Sequence, residues 1–537
     1  GDEIDVLVTL NPAALKVNAK NLKKGSIVIF DLDSFQPSDL KKANFSTDNP
    51  FEELSLSDTI QLIPVPLTTL TKSSLEDFGF DNKTVLRSKN MLALGLVCWL
   101  FNRPLDKAIH FLENKFRKKT QILQANIKAL TDGYNYGENL HLTVSNFVIE
   151  KSHEMPKGKY TSINGNKATA WGLIAAAEKA GLQLFLGSYP ITPATDIMQE
   201  LALQKGIGVK TVQAEDEIAG ITMAIGASFA GCLAATSTSG PGMSLKTEGI
   251  GLAVMAELPL VIVDVMRSGP STGMPTKTEQ GDLLQALYGR SGESPLAVLA
   301  APTPDSCFHY AFMASKIALE NMTPVILLTD AFIGNGSSLW RLPKLADLPE
   351  IHPHFVPSNM ENYKVTTRNE DTKIRYWSIP GMKGFQHCNG GLEKDYTTGN
   401  LSTDPENHEK MVLTRKQKVD NIVNVIPELE IEGNTDADLL VVGWGGTYGH
   451  LKSAVDNLNN KGYKIALAHF TYLFPLPANT ENVIGKYEKI VVCELNTGQF
   501  ASYLRSKIPG KTFTQFNKIQ GQPFKTEELE NHFISLL

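Results

Sequence analysis

Short apolar runs at residues 4–9 and 26–31, separated by a helix-like stretch ending in lysines and a glycine, predict two buried strands at the start of the chain. A polar insertion over 35–58 follows, then a strand-like run at 58–65 and two largely helical stretches, 88–103 and 104–137. Residues 151–165 are rich in Lys, Ser, Gly and Pro, with little apolar content, and read as a linker. A first α/β domain is therefore expected over residues 1–150.

Beyond the linker the rhythm sharpens. A small-residue helix over 168–180 leads to a strand at 182–186. Further apolar runs fall at 209–212, 232–236, 259–265, 296–300 and 324–329, spaced by helix-length segments. That alternation predicts a doubly wound parallel sheet over 166–340. Residues 341–432, rich in Pro, Asn, His, Lys and Glu, break the rhythm and predict a connecting segment with one charged helix near 403–425. Strand candidates at 438–443, 464–469 and 489–494 predict a last α/β domain over 433–537.

Composition narrows the function classes. A chain of 537 residues exceeds what one core normally serves, which agrees with several domains. Apolar residues make up 42% and charged residues 20%, as in an ordinary globular protein. The net charge of −6 comes with no basic run able to track a phosphate backbone, so nucleic acid is not the expected partner and a cytoplasmic enzyme is. The apolar stretch 91–101 is too short to span a bilayer, and 252–266 contains Glu257 and Pro259, so no transmembrane helix is expected. Residues 1–5 lack the basic and apolar start of a signal peptide. Cys98, Cys232, Cys307, Cys388 and Cys493 are scattered, with no metal-binding spacing and an odd count. Neither a disulfide framework nor a metal or iron–sulfur site held by this chain alone is expected.

Four loops at predicted strand ends carry candidate chemistry. Tyr189-Pro190-Ile191-Thr192-Pro193 makes a rigid turn that presents the Thr192 hydroxyl, although two prolines can equally just end a strand. Glu215, Asp216 and Glu217 lie between a strand and an Ala/Gly-rich helix over 221–230. Acids in a first turn usually complement the helix dipole, but one held against a tight apolar helix can take part in proton transfer. The run from Thr236 through Ser239 and Gly240 to Met243 offers hydroxyls and glycines where a cofactor could approach, or merely a turn. The fourth loop, 267–281, sets Arg267 and Lys277 among glycines and hydroxyls, as a carboxylate substrate would require.

These motifs closely resemble, in order and spacing, the α subunit of 2-oxoacid:ferredoxin oxidoreductases. The residues concerned are Tyr189 to Pro193, Gln213 to Glu217, Thr238 to Gly242 and Gly269 to Gln280. The likeness continues through Tyr288 to Arg290, Asp404 to Glu409, Gly443 to Gly446 and Glu494 to Gln499, and residues 1–150 resemble the γ domain often fused ahead of α. The resemblance implies an α/β fold of several doubly wound domains: a γ-type domain whose glycine-rich opening loop would precede residue 1, a pyrimidine-type thiamine domain, and a transketolase C-terminal-like domain. It implies thiamine diphosphate shared with a β subunit that supplies Mg²⁺ and an iron–sulfur cluster. This chain agrees by omission, having no clear Gly-Asp-Gly motif with a downstream Asn. Coenzyme A as co-substrate, ferredoxin as acceptor and an (αβ)₂ assembly are implied as well.

By position, Glu217 matches the glutamate that hydrogen-bonds the aminopyrimidine nitrogen and activates the cofactor. Thr192 matches the residue that contacts the substrate carboxylate and oxo group, with Lys277 as its cationic helper and Arg267 as runner-up. Tyr189, Pro190, Ile191, Ser239 and Gly240 fall at cofactor-binding positions. Likeness to the fused γα form favours 2-oxoglutarate, with pyruvate, a branched-chain 2-oxoacid, or a transketolase-like reaction without electron transfer as alternatives.

Overall fold

The computed structural model describes residues 2–56, 59–140, 147–150 and 155–537. They divide into two compact units, Gly1–Lys157 and Gly158–Leu537.

In the first unit Ile4–Thr9, Leu22–Asp31 and Gln61–Val65 form a three-stranded parallel sheet with Leu22–Asp31 at its centre. Helices Lys89–Leu100 and Thr120–Asn139 pack at backbone contact, because a Cβ on Gly95 would lie 2.0 Å from the Leu130 carbonyl and one on Gly133 2.0 Å from that of Leu92. The stretch expected at 58–65 forms a strand from Gln61; residues 57 and 58 lie outside the described residues.

The second unit is built on a seven-stranded sheet. Its order is Lys210–Gln213, Leu184–Ser188, Leu233–Thr238, Leu260–Met266, Pro324–Asp330, Ala297–Ala300 and Tyr472–Phe474. All neighbours run parallel except the last pair. The central strands are buried along their whole length, as fits near-continuous apolar runs covered by helices on both faces. Helix Gly165–Ala180 starts at Asn164, whose side chain accepts a hydrogen bond from Lys167 N, and ends at left-handed Gly181. Its small residues let it meet helix Cys307–Asn321 closely: a Cβ on Gly172 would lie 2.3 Å from the Phe308 carbonyl.

A second, five-stranded sheet orders Ile431–Gly433, Ile465–Phe470, Leu439–Trp444, Ile490–Glu494 and Thr514–Asn517. Side chains of both sheets enter one apolar cluster, with Ile262 and Ile326 from the first and Val442, Trp444 and Val492 from the second.

Two elements depart from the expected pattern. The segment read as a linker carries strand Tyr160–Asn164, which pairs antiparallel with Ser337–Arg341; residues 151–154 lie outside the described residues. The strand is an exposed two-stranded ribbon with one buried side chain, Ile163, so it leaves no apolar run to read. Tyr472–Phe474, from the C-terminal region, completes the edge of the first sheet. Among the described residues no helix is long and apolar enough to cross a membrane, and no group of three or more His, Cys, Asp or Glu is arranged to hold a metal ion.

The connecting segment 341–432 is mostly irregular, with helix Pro405–Asp420 where the charged helix is expected. It docks through buried charge. Glu257, 2% exposed and in a left-handed conformation, accepts hydrogen bonds from Arg368 (2.9 and 3.3 Å) and from Lys418 Nζ (2.6 Å), while Arg375 donates to its carbonyl at 3.2 Å.

Candidate active site at the sheet switch point

Chain order along the first sheet reverses between Leu184–Ser188 and Leu233–Thr238, because the chain goes one way to Lys210–Gln213 and the other way thereafter. Loops leaving two such strands diverge and open a crevice at their carboxyl ends, the usual ligand position in an open α/β sheet. Ser188 closes the floor, its hydroxyl lying 2.8 Å from the Ser237 carbonyl and 2.9 Å from the Ser237 hydroxyl.

Tyr189 and Thr238, the next residues out on each side, meet above it with their hydroxyls 3.0 Å apart. Glu217, the first residue of helix Glu217–Phe229, joins them at Gly242. A Cβ on Gly242 would lie 2.0 Å from the Tyr189 hydroxyl oxygen, 2.2 Å from Thr238 Oγ1 and 3.1 Å from Glu217 Cγ. Only glycine admits this convergence. Gly242→Ala should force these groups apart and cost about 1–3 kcal/mol of stability, read as a lower urea midpoint. A denaturation curve superposing on that of the wild type would contradict the crowding.

The three neighbouring acids separate by environment. Asp216 caps the helix, accepting from Ala219 N at 2.8 Å, and Glu215 is exposed. Glu217 alone reaches the crevice. Beneath it, Lys246 is fully buried, donates from Nζ to the Glu217 carbonyl at 2.8 Å, and holds its ammonium 4.7 Å from the Tyr189 ring centroid. Burial pulls the Lys246 amine down to about 8, against the pull of Glu217 and then Asp216. Burial likewise pushes the Tyr189 phenol up, with the adjacent Glu217 adding to the effect.

The loop after Leu260–Met266 brings one of the two candidate cations to the Pro-rich turn. Arg267, 7% exposed, donates from Nη1 to the carbonyl of exposed Thr192 at 2.6 Å and so pins the turn. Lys277 stays exposed on the same loop, its side chain against Gly521 of the C-terminal region, where a Cβ would lie 2.8 Å from Lys277 Cβ. The loop is braced internally by Ser268 N to Lys277 O (2.9 Å) and by Glu279, which accepts from the Ser268 hydroxyl at 2.7 Å. Gln280 then ties it to the second sheet, donating to the Trp444 carbonyl at 2.8 Å and accepting from Leu495 N at 3.0 Å.

Pro190 is exposed and Ile191 half-buried on the rim, whereas Ser239 is fully buried with no partner for its hydroxyl, and Gly240 opens helix Gly240–Leu245 beside it. An orphaned buried hydroxyl and a glycine-only cradle beside a carboxylate fit a polar aromatic ring such as an aminopyrimidine. Lys246, Gln280 and Thr238's contact with Tyr189 escaped the sequence reading, since each depends on a partner tens of residues away.

Comparison with known proteins bears on this crevice directly. Residues 175–403 match the family model "Pyruvate flavodoxin/ferredoxin oxidoreductase, thiamine diP-bdg". Residues 1–136 match "Pyruvate ferredoxin/flavodoxin oxidoreductase", and 437–529 match "Pyruvate:ferredoxin oxidoreductase core domain II". The chain belongs to the 2-oxoacid:ferredoxin oxidoreductase family, as an α-type subunit carrying the thiamine diphosphate-binding domain. Within it, the chain is 46% identical to the 2-oxoglutarate oxidoreductase subunit KorA of Mycobacterium tuberculosis, over 98% of this chain and 80% of that one. It is 37% identical to the 2-oxoglutarate synthase subunit KorA of Archaeoglobus fulgidus, over 63% and 88%. The solved 2-oxoglutarate:ferredoxin oxidoreductase of Magnetococcus marinus, with 2-oxoglutarate, coenzyme A and succinyl-CoA bound, superposes with a TM-score of 0.87 at 31% identity, covering 100% of this chain and 88% of that one.

Proposed function

We propose that this chain is the α-type (γα-fused) subunit of a 2-oxoglutarate:ferredoxin oxidoreductase. The reaction takes 2-oxoglutarate, coenzyme A and two oxidised ferredoxins to succinyl-CoA, CO₂, two reduced ferredoxins and one proton, or runs in reverse as a carboxylation. The convergence of Glu217, Tyr189 and Thr238 on Gly242 at the switch point carries this reading. Likeness of the whole chain to relatives named for 2-oxoglutarate supports the substrate.

Thiamine diphosphate, when bound, supplies the carbanion that attacks the 2-oxo carbon and the sink for the electrons released with CO₂. Glu217 holds and returns a proton at the aminopyrimidine nitrogen. Tyr189, Pro190, Ile191, Ser239 and Gly240 would hold the ring. Thr192 donates its hydroxyl to the 2-oxoacid end, held in place by Arg267 through its carbonyl. Lys277, exposed on its braced loop, offers its ammonium to a substrate carboxylate.

The diphosphate, Mg²⁺ and an iron–sulfur cluster belong to a β-type partner in an (αβ)₂ assembly that delivers electrons to ferredoxin. Exposed apolar side chains on one strand and three helices of the second unit, Val212, Ile218, Leu245, Leu284 and Tyr288, agree with a surface that a partner covers.

The test is a substrate panel on the complex formed with the β-type chain. Ferredoxin reduction is expected to be fastest with 2-oxoglutarate and slow with pyruvate or 2-oxoisovalerate, and absent from this chain alone. More efficient turnover of pyruvate would reject the substrate assignment and keep the reaction class. In the same assay Lys277→Ala should raise the KM for 2-oxoglutarate about tenfold or more, since a carboxylate in a closed site loses its charge partner. An unchanged KM removes Lys277 from the site.

A further inference from the structure

Two motifs to which the crevice itself gives no role, Gly443 to Gly446 and Glu494 to Gln499, converge on one short segment. Residues 271–277 of the loop 267–281 are exposed, with Lys277 the last of them, and the next three, Thr278, Glu279 and Gln280, are buried. Their side chains face three different elements. The Thr278 hydroxyl donates to Asp330 Oδ1 at 2.8 Å, at the end of strand Pro324–Asp330. Glu279 accepts from the Ser268 hydroxyl at 2.7 Å and from Gly269 N at 3.3 Å, closing the loop at its root. Gln280 turns to the second sheet.

There every polar atom of Gln280 has a partner. Its N donates to the Leu495 carbonyl and its Oε1 accepts from Leu495 N, both at 3.0 Å. Its Nε2 donates to the Trp444 carbonyl and its own carbonyl accepts from Asn496 Nδ2, both at 2.8 Å. Asn496 is buried, with its Oδ1 committed to Gly498 N (2.7 Å) and Gln499 N (3.0 Å). Gln499 extends the hold, donating to the Gly281 carbonyl at 2.7 Å and accepting from Leu284 N at 2.9 Å. Behind them Glu494, fully buried, accepts from Trp444 Nε1 at 3.2 Å, Phe500 N at 2.8 Å and Ala501 N at 3.0 Å. The glycines make room. Gly445 is left-handed, and a Cβ there would lie 3.2 Å from Gln280 Nε2, while one on Gly446 would lie 2.0 Å from Asp330 Oδ2. A shared apolar core already joins the two sheets, so adhesion does not call for this network. Directional buried bonds add a fixed position.

We propose that these two turns form a clasp that sets where the exposed arm of the loop stands, with Gln280 and Asn496 as positioning residues for Lys277. The proposal rests on the reading of Lys277 as the cation for a substrate carboxylate. The Lys277 carbonyl accepts from Ser268 N and its amide donates to the Met274 carbonyl, so the arm is tied to itself and its place is decided by the buried anchors below it. Releasing Gln280 lets the ammonium swing while both sheets stay folded. The held segment runs on to Gln285, whose amide donates to the Ser244 hydroxyl in helix Gly240–Leu245 at 2.8 Å. The substrate cation and the cofactor turn are thereby referred to the same turn of the C-terminal region.

Asn496→Asp removes one link alone, because a carboxylate still accepts from Gly498 N and Gln499 N but cannot donate to the Gln280 carbonyl. Gln280→Glu does the same at the Trp444 carbonyl. In hydrogen exchange of the full chain, read by mass spectrometry, both variants should exchange faster than the wild type over residues 268–277, where the amides of Ser268, Met274 and Lys277 are bonded. Strand Leu439–Trp444 should exchange as in the wild type. Wild-type exchange over 268–277 in both variants, or a change confined to 278–284, overturns the proposal. In the assembled complex each variant should raise the KM for 2-oxoglutarate about three- to tenfold, the size of one lost hydrogen bond, with kcat nearly unchanged. Adding Lys277→Ala should raise KM no further than Lys277→Ala alone, since both act through one ammonium. Effects that multiply overturn the role, because Asn496 and Gln280 then act by a route independent of Lys277. An unchanged KM in Lys277→Ala alone would instead overturn the reading of Lys277, whatever the exchange shows, and the positioning role with it.

Discussion

Glu217→Gln in the assembled complex is expected to lower kcat by about 100- to 10,000-fold, the usual range for removing a positioned acid–base group. The substitution keeps size and one hydrogen bond but loses the proton-accepting carboxylate. Because Asp216 is committed to the helix cap and Glu215 faces solvent, neither stands ready to replace it. The isolated variant should melt with the wild type. Near-normal turnover of Glu217→Gln together with an inactive Glu215→Gln would move the role two residues upstream.

The second large effect is expected far from the crevice. Glu257→Gln removes the carboxylate bonded to the buried cations Arg368 and Lys418 and close to Arg375, and breaking a buried ion pair from one side costs about 3–5 kcal/mol. Urea denaturation should register that loss at pH 7. The pH dependence has a definite sign. Lys418 is already drawn down to about 8 by burial, with Glu257 holding it up, and it titrates near 10.5 when unfolded. Between those values the unfolded chain binds the extra proton, so stability rises with pH. Without Glu257 the folded value falls further, so Glu257→Gln should recover part of its deficit between pH 7 and pH 9.5. A deficit equal at both pH values would show that the loss is not electrostatic.

The parts legible in the sequence were those whose cause is local. The buried runs that became Leu260–Met266, Pro324–Asp330 and Leu439–Trp444 announced themselves because both faces of each strand are covered and most positions are apolar. Charged helix Pro405–Asp420 was readable too, with Asp404 as cap and Pro405 in the first turn. Contacts that close the crevice were not. Arg267 meets Thr192 across 75 residues, and Gln280 meets Leu495 across 215. No periodicity encodes such pairs, and the motif likeness ranked Lys277 ahead of Arg267 without distinguishing a free ammonium from a guanidinium already bound to backbone. Tyr160–Asn164 and Tyr472–Phe474 were too short, and too dependent on distant partners, to stand out.

That last strand restricts how the chain can be recombined. Although residues 433–537 look like a separable module, Tyr472–Phe474 forms the edge of the other sheet, Trp444 and Leu495 hold Gln280 of the loop 267–281, and side chains of both sheets interleave in one core. A chimera that takes this region from a relative at 30% identity inherits a foreign edge strand and foreign grips on the loop at once. Domain shuffling within the family should therefore succeed only when residues 158–537 travel as a single cassette.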